Sequence, residues 1–204
     1  MKKYFAALTA TALISAAPFA LAASSDDLTV TGLITPVACM PSFSGGGVID
    51  LGKFSAGDLK QDSNTLIGTD PIQLVVTCDA PARFALNPID NQDGTSIGDY
   101  FGLGRTPDNE KLGFFAPKVI QVKDGTTPLD AIESNDDGST WVKATYAQAG
   151  NLLSVAAPGS TAPINAEVVT FDFEVETYIA RADSLTLTDE VTIDGSATFE
   201  VKYL

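Results

Sequence analysis

The 204-residue chain contains no histidine, so the imidazole that serves Ser-His-Asp and Cys-His centres, and that ligates many metals, is missing. Its two cysteines, Cys39 and Cys78, are spaced for a bridge and not for zinc. In an exported chain they are expected to pair; two free thiols are the alternative. Gly45-Gly46-Gly47 has no Lys-Ser or Lys-Thr behind it and precedes a strand-like stretch. It reads as a flexible loop, not a phosphate cradle. Asp90-Asn91-Gln92-Asp93-Gly94 hints at a calcium loop but lacks the alternating acids and closing Glu, so it reads as a turn. With 26 Asp and Glu residues, chance carboxylate pairs are certain and none singles itself out as a glycosidase pair. The expectation is no catalytic, cofactor or metal site, and no enzyme.

The most specific local pattern is Ser134-Asn135-Asp136-Asp137-Gly138-Ser139-Thr140-Trp141. It looks like an Asp-box, Ser-x-Asp-x-Gly-x-Thr-Trp, a motif of sialidases and other β proteins. Ser134 and Asp136 would cap turn amides, Gly138 would supply an unusual φ, Thr140 completes the pattern and Trp141 would anchor the hairpin. A single copy reads as a stabilised hairpin; the alternative is contact with carbohydrate through Trp141.

The elements that position these residues are strands. From residue 23 onward Thr, Val and Ile are frequent, and Gly, Asp, Asn and Pro punctuate them at short intervals. Ile72, Leu74, Val76 and Cys78 fall on one face of an extended stretch. Val169, Phe171, Phe173, Val175, Thr177 and Ile179 alternate with Thr170, Asp172, Glu174, Glu176 and Tyr178, the pattern of a central strand with one wet side. Ala197, Phe199, Val201 and Tyr203 alternate at the C-terminal end. Val48 to Gly52 reads as a short strand, Asn87 to Leu112 as a long loop with at most short strands, and Phe114 to Val122 as a strand ending at Asp124-Gly125. Trp141 to Tyr146 and Leu152 to Val155 read as a hairpin about Ala149-Gly150-Asn151. Short strands, frequent turns and one bridge between early strands indicate an immunoglobulin-like Greek-key sandwich.

Residues 1–22 read as a secretory signal peptide: Lys2 and Lys3, an apolar Ala-rich run, and a small-x-small site at Ala20-Leu21-Ala22. Formal charge is −14, and losing Lys2 and Lys3 makes it −16. Nucleic acid and anionic membranes are poor partners for such a surface. Within residues 23–35, Leu28, Val30, Gly32 and Ile34 share one face of an extended segment, and Pro36 ends it. An apolar-faced strand at a loose chain end needs a sheet to join.

Five stretches, VTGLITPVAC, VIDLGKF, PIQLVVTCDA, FDFEVETYIA and ATFEVKY, together resemble the pilins of chaperone–usher fimbriae, type 1 pilins in particular. YFGLGRTPDNEKLGFF looks closer to a branch of pilin-like exported proteins with no assigned function. The resemblance implies an all-β, incomplete sandwich over residues 36–204 that is completed by a donor strand. Residues 23–35 would be that strand for a neighbouring subunit, with Leu28, Val30 and Ile34 as plugs and Gly32 where the neighbour's groove floor comes too close for a side chain. Phe199, Val201 and Tyr203 would be the handle for a periplasmic pilus chaperone. An outer-membrane usher and neighbouring pilin subunits would be the other partners, and host or surface glycans would be met through the assembled fimbria. The implied function is a structural subunit at the cell surface, polymerising by donor-strand exchange and contributing to cell adhesion. The alternative is a monomeric exported β-sandwich that binds glycan through the loops of Asn87 to Gly159.

Overall fold

Alternation at a period of two builds the framework. Strand β9 (Ala166–Ile179) buries Val169, Phe171, Phe173, Val175, Thr177 and Ile179 and leaves Thr170, Asp172, Glu174, Glu176 and Tyr178 half-buried on its other face. This is what a strand with one covered face requires. The structure, a computed structural model, describes residues 28–29, 32 and 37–204, and everything below on the fold concerns the unit Thr35–Leu204.

Around β9 lie β1 (Cys39–Phe43), β2 (Thr65–Ala82), β3 (Phe84–Asp90), β4 (Phe101–Gly102), β5 (Gly113–Asp124), β6 (Thr127–Ser134), β7 (Val142–Lys143), β8 (Leu152–Ala156) and β10 (Ala197–Tyr203). Among the described residues the only helical pieces are three short 3-10 turns. All strand pairs are antiparallel, in the order β1-β2-β9-β5-β6-β8-β3-β10, with β4 beside β5 and β7 beside β6. The β5–β6 hairpin carries the chain from one layer of the sandwich to the other, so the sheet folds round into a nearly closed barrel. Its inner faces meet in one main core around Leu74, Val76, Phe84, Leu86, Leu153, Val169, Phe171 and Phe173. A smaller cluster of Leu103, Leu112 and Ile179 sits at one end, covered by Leu59, Ile67, Leu185, Val191 and Ile193.

Cys39 and Cys78 are direct cross-strand partners of β1 and β2 and form a disulfide. Cys78 lies on the buried face with Ile72, Leu74 and Val76, as the alternation predicts. A bridge between residues 39 positions apart removes loop-closure entropy from the unfolded chain, worth about 4 kcal/mol in the chain-entropy model.

Two local expectations are corrected. Trp141–Tyr146 and Leu152–Val155 do not pair with each other. Strand β6, with the unpromising sequence TPLDAIES, lies between them and pairs with both β7 and β8. Its apolar residues are too few to show in a pattern, and burial of Ala131, Ile132 and Ser134 by tertiary packing decides its state. Val48 to Gly52 is not a strand: it has no ladder on either side, and Gly52 has positive φ. The Asn87–Leu112 region holds only short strand pieces, as expected: the end of β3 up to Asp90, the two residues of β4 and an isolated bridge between Arg105 and Lys111.

Candidate functional site: an open seam between the first and last strands

The hydrogen-bonded path ends at β1 and at β10, and these two strands face each other across a seam. Among the described residues no strand pairs with the second edge of β10. Among the described residues no backbone–backbone hydrogen bond crosses the seam. At one end Cys39 N–H donates to the Tyr203 hydroxyl at 2.8 Å. At the other, Phe43 and Phe199 meet edge to face with ring centroids 5.2 Å apart.

Past Phe43 the seam widens. Gly45, Gly46 and Gly47 all have positive φ, which non-glycine residues seldom adopt, and they swing the chain away from β10. The extended stretch after Val48 then forms one wall and Val191 to Phe199 the other. Between them runs a groove of about 880 Å³ floored by Phe115, Phe173, Val175 and Ile179. The rim is polar, with Asp50, Lys53, Asp189 and Glu190, and Lys53 reaches across to Glu190 at 3.1 Å. Val48 is 76% and Phe54 45% exposed on the glycine-side wall. An apolar trough flanked by two unpaired backbones is costly in water unless something fills it.

Long-range tethers shape the β10-side wall. The Glu110 carboxylate accepts from Thr186 N–H at 2.7 Å, from the Thr186 hydroxyl at 2.9 Å and from the Thr106 hydroxyl at 2.9 Å. The Thr186 amide is the main reason the Glu110 carboxyl is held below its usual range. Asp194 N–H donates to Leu103 O at 3.1 Å. Gly195 lies so close to Leu103 and Phe115 that a Cβ there would sit 2.8 to 3.0 Å from their side chains. These contacts tie the wall ahead of β10 to the Leu103–Phe115 region.

The sequence-predicted residues fall as follows. Phe199 and Val201 are half-buried and pack on the main core from the seam side, and Tyr203 closes the seam. Leu28 and Gly32 are exposed, and Val30 and Ile34 lie outside the described residues. The Asp-box residues come together as one turn between β6 and β7. Asp136 Oδ1 accepts from Ser134 Oγ at 2.7 Å and from Thr140 N–H at 2.8 Å, and Oδ2 accepts from Thr140 Oγ1 at 2.6 Å. Those bonds, the Thr140 hydroxyl first, lower the Asp136 carboxyl to about 2. Gly138 has φ +89°, and Trp141 Nε1 donates to its carbonyl at 3.0 Å. The indole N–H is thus used internally. The turn packs near Leu204, and Asp137 pairs with Lys202 of β10, so the motif braces the end of the last strand.

Outside the sandwich, Tyr100, Phe114 and Tyr178 form a row of stacked rings with centroids 5.5 and 4.9 Å apart. Tyr146 leans on Tyr100 at 5.2 Å. Tyr146 and Tyr178 donate their hydroxyls to Glu176, which also pairs with Lys118. Burial, and next the Glu176 charge, raise both phenols. The rings spend their faces on one another, which suits sheet stabilisation better than a flat platform for a ligand.

Sequence reasoning missed Phe43, the wall after Val48 as a wall, and the Glu110–Thr186 tether. Phe43 was within reach, since Cys39, Pro41 and Phe43 share a face by period two. Chemically the seam offers an unpaired backbone edge along β10 beside an apolar trough.

Comparison with known proteins adds the following. A family model described as a protein of unknown function (DUF1120) matches residues 28–100, which takes in the N-terminal alternation, both cysteines and the glycine-side wall. Protein GltF of Escherichia coli (strain K12) is 28% identical over 251 residues, covering 100% of this chain and 99% of that protein. Uncharacterized protein YhcF of the same organism is 26% identical over 227 residues, covering 91% of this chain and 94% of that protein.

Proposed function

We propose that this chain is a structural subunit of a chaperone–usher fimbria that polymerises by donor-strand exchange and contributes to adhesion at the cell surface. The observation that carries the reading is the open seam: β10 keeps an unpaired edge beside an apolar groove of about 880 Å³. Added strands bind such a site through main-chain bonds, and their alternate side chains fill the floor. The chain also encodes a segment of the matching type, with Leu28, Val30, Gly32 and Ile34 on one face. A periplasmic chaperone would shield the groove before assembly, an outer-membrane usher would exchange it, and the next subunit's residues 23–35 would fill it. No catalysis is involved.

The test is the behaviour of the exported chain without a chaperone. It should form ladders that survive unheated detergent electrophoresis, or be degraded. A stable, non-associating monomer would remove this reading and leave the monomeric glycan-binding module in its place.

A further inference from the structure

Three of the five tyrosines, Tyr100, Tyr146 and Tyr178, converge on one patch outside the sandwich. The strands explain why. Phe101 and Phe115 are register partners of β4 and β5, and their rings stack on the inner side, where Phe101 is fully buried. Their chain neighbours Tyr100 and Phe114 therefore fall on the outer side, where Phe114 is also the register partner of Tyr178. Tyr146 reaches the patch from the segment after β7, and the backbone on each side of it is pinned to β5. Val119 N–H donates to Thr145 O at 2.9 Å, and Ala147 N–H donates to Pro117 O at 2.8 Å.

Among the described residues, Tyr100 and Tyr146 are the one pair of tyrosines in ring contact, with centroids 5.2 Å apart and planes tilted by 55°. Both are half-buried, so part of each ring is open to a small oxidant while the rest is held. A phenol that gives up an electron becomes a strong acid, and a nearby base makes that loss easier. The Tyr146 hydroxyl already donates to the Glu176 carboxylate at 3.4 Å. Few other side chains compete for such an oxidant. Both cysteines are in the disulfide, the methionines are Met1 and Met40, and the single tryptophan has its N–H bound within the Asp-box turn.

We propose that Tyr100 and Tyr146 are an oxidative cross-linking site, joined ortho carbon to ortho carbon as a dityrosine, with Glu176 taking the Tyr146 proton. Each phenol loses one electron and its hydroxyl proton, which leaves a neutral radical with spin on the ring carbons beside the oxygen. The two odd electrons pair in a new C–C bond. Each of those carbons then releases its hydrogen as a proton, and each oxygen regains one, so the sum is the loss of two hydrogen atoms. The oxidant is of the peroxide class: one hydrogen peroxide takes both electrons and both protons and leaves as two waters. The bond ties the chain ahead of β4 to the segment after β7, over the outer face of β5.

Illumination of the folded, exported chain with tris(bipyridyl)ruthenium and persulfate, a small one-electron oxidant system, tests the site. Peptide mass spectrometry of the monomer band should find the peptides holding residues 100 and 146 linked, two hydrogen masses below their sum, with the blue emission of dityrosine. Tyr100→Phe and Tyr146→Phe, which keep the rings, should each abolish that link, and Tyr178→Phe should leave it. Glu176→Gln should slow its formation several-fold, and added phosphate, a base from solution, should recover the rate. Coupling of the Gln variant at the parent's rate overturns the part given to Glu176. A 100–146 link that forms as readily in the urea-unfolded chain overturns the site itself. So does a folded chain in which other tyrosines or none are linked while free tyrosine in the same tube dimerises.

Discussion

Moving residues 23–35 to the other end of the chain tests the seam most directly. β10 ends at Tyr203 beside Cys39, so a copy of the segment placed after Leu204 through a four-residue Gly/Ser linker can turn straight back along β10 as a hairpin. With the native segment deleted, exchange becomes intramolecular, at an effective concentration in roughly the millimolar range. Leu28, Val30 and Ile34 would each gain about 1.5–3 kcal/mol if fully covered. Compact denatured states and partial coverage cut this sum by about half, leaving ~2–5 kcal/mol. For a domain of this size that corresponds to a rise in Tm of roughly 5–20 °C. The assay is thermal unfolding of three purified chains: deleted, deleted and grafted, and grafted with Gly32→Leu. The grafted chain should be a chaperone-independent monomer, and Gly32→Leu should cancel much of the gain, because a position kept bare for a close groove floor has no room for a side chain. A deleted chain that is already a stable monomer, with the same Tm as the grafted one, refutes the argument: the sandwich would then be complete without a donor.

Other outcomes are expected from particular contacts. Mass spectrometry of the exported chain alkylated without reductant should find no labelled thiol, and Cys39→Ser should lower stability by about 2–5 kcal/mol in denaturant melts. Tyr203→Phe leaves the Cys39 amide without its partner and should cost about 1–2 kcal/mol, while an unchanged urea midpoint would show that water replaces the hydroxyl. Asp136 has a folded pKa of about 2, below its unfolded value. Its contribution is therefore complete above pH 4 and is lost as pH falls through about 2, a loss that Asp136→Asn should abolish in acid unfolding curves. Gly113→Ala should prevent correct folding, since a methyl there overlaps the Tyr178 carbonyl oxygen on the neighbouring strand, and near-native levels of soluble protein would contradict that geometry.

The parts of this fold legible in the sequence are those where one residue in two is apolar over a long run. In β9 and around Cys78 in β2 the period of two and the buried face coincide residue for residue, because each strand has a covered side and a wet side. Strand β6 was not legible: Pro128, Asp130 and Glu133 interrupt its pattern, and its state is set by neighbours that pair with it from distant positions. The stretch after Val48 misled in the opposite sense. Its Val-Ile-Asp-Leu alternation suits a strand, but a strand needs a ladder, and the seam provides none. Of the candidate site, the β10 residues and the disulfide could be read directly. The wall of the groove depends on Glu110 holding Thr186, a contact across 76 positions, and no local pattern encodes that.

The place of the disulfide has a mechanical consequence. A chain pulled from its N-terminal side is loaded first at Val37 and Cys39. Strand β1 has only five residues, and its ladder could peel away from its end one pair at a time. The covalent bond at the first of those pairs sends the load past β1 into Cys78, well inside β2. From there it spreads along the registered pairs of β2 and β9 between Thr65 and Thr77, which share the force side by side in shear. The first strand, the one that flanks the seam, carries almost no tension, so its edge keeps its position while the rest of the domain is stretched.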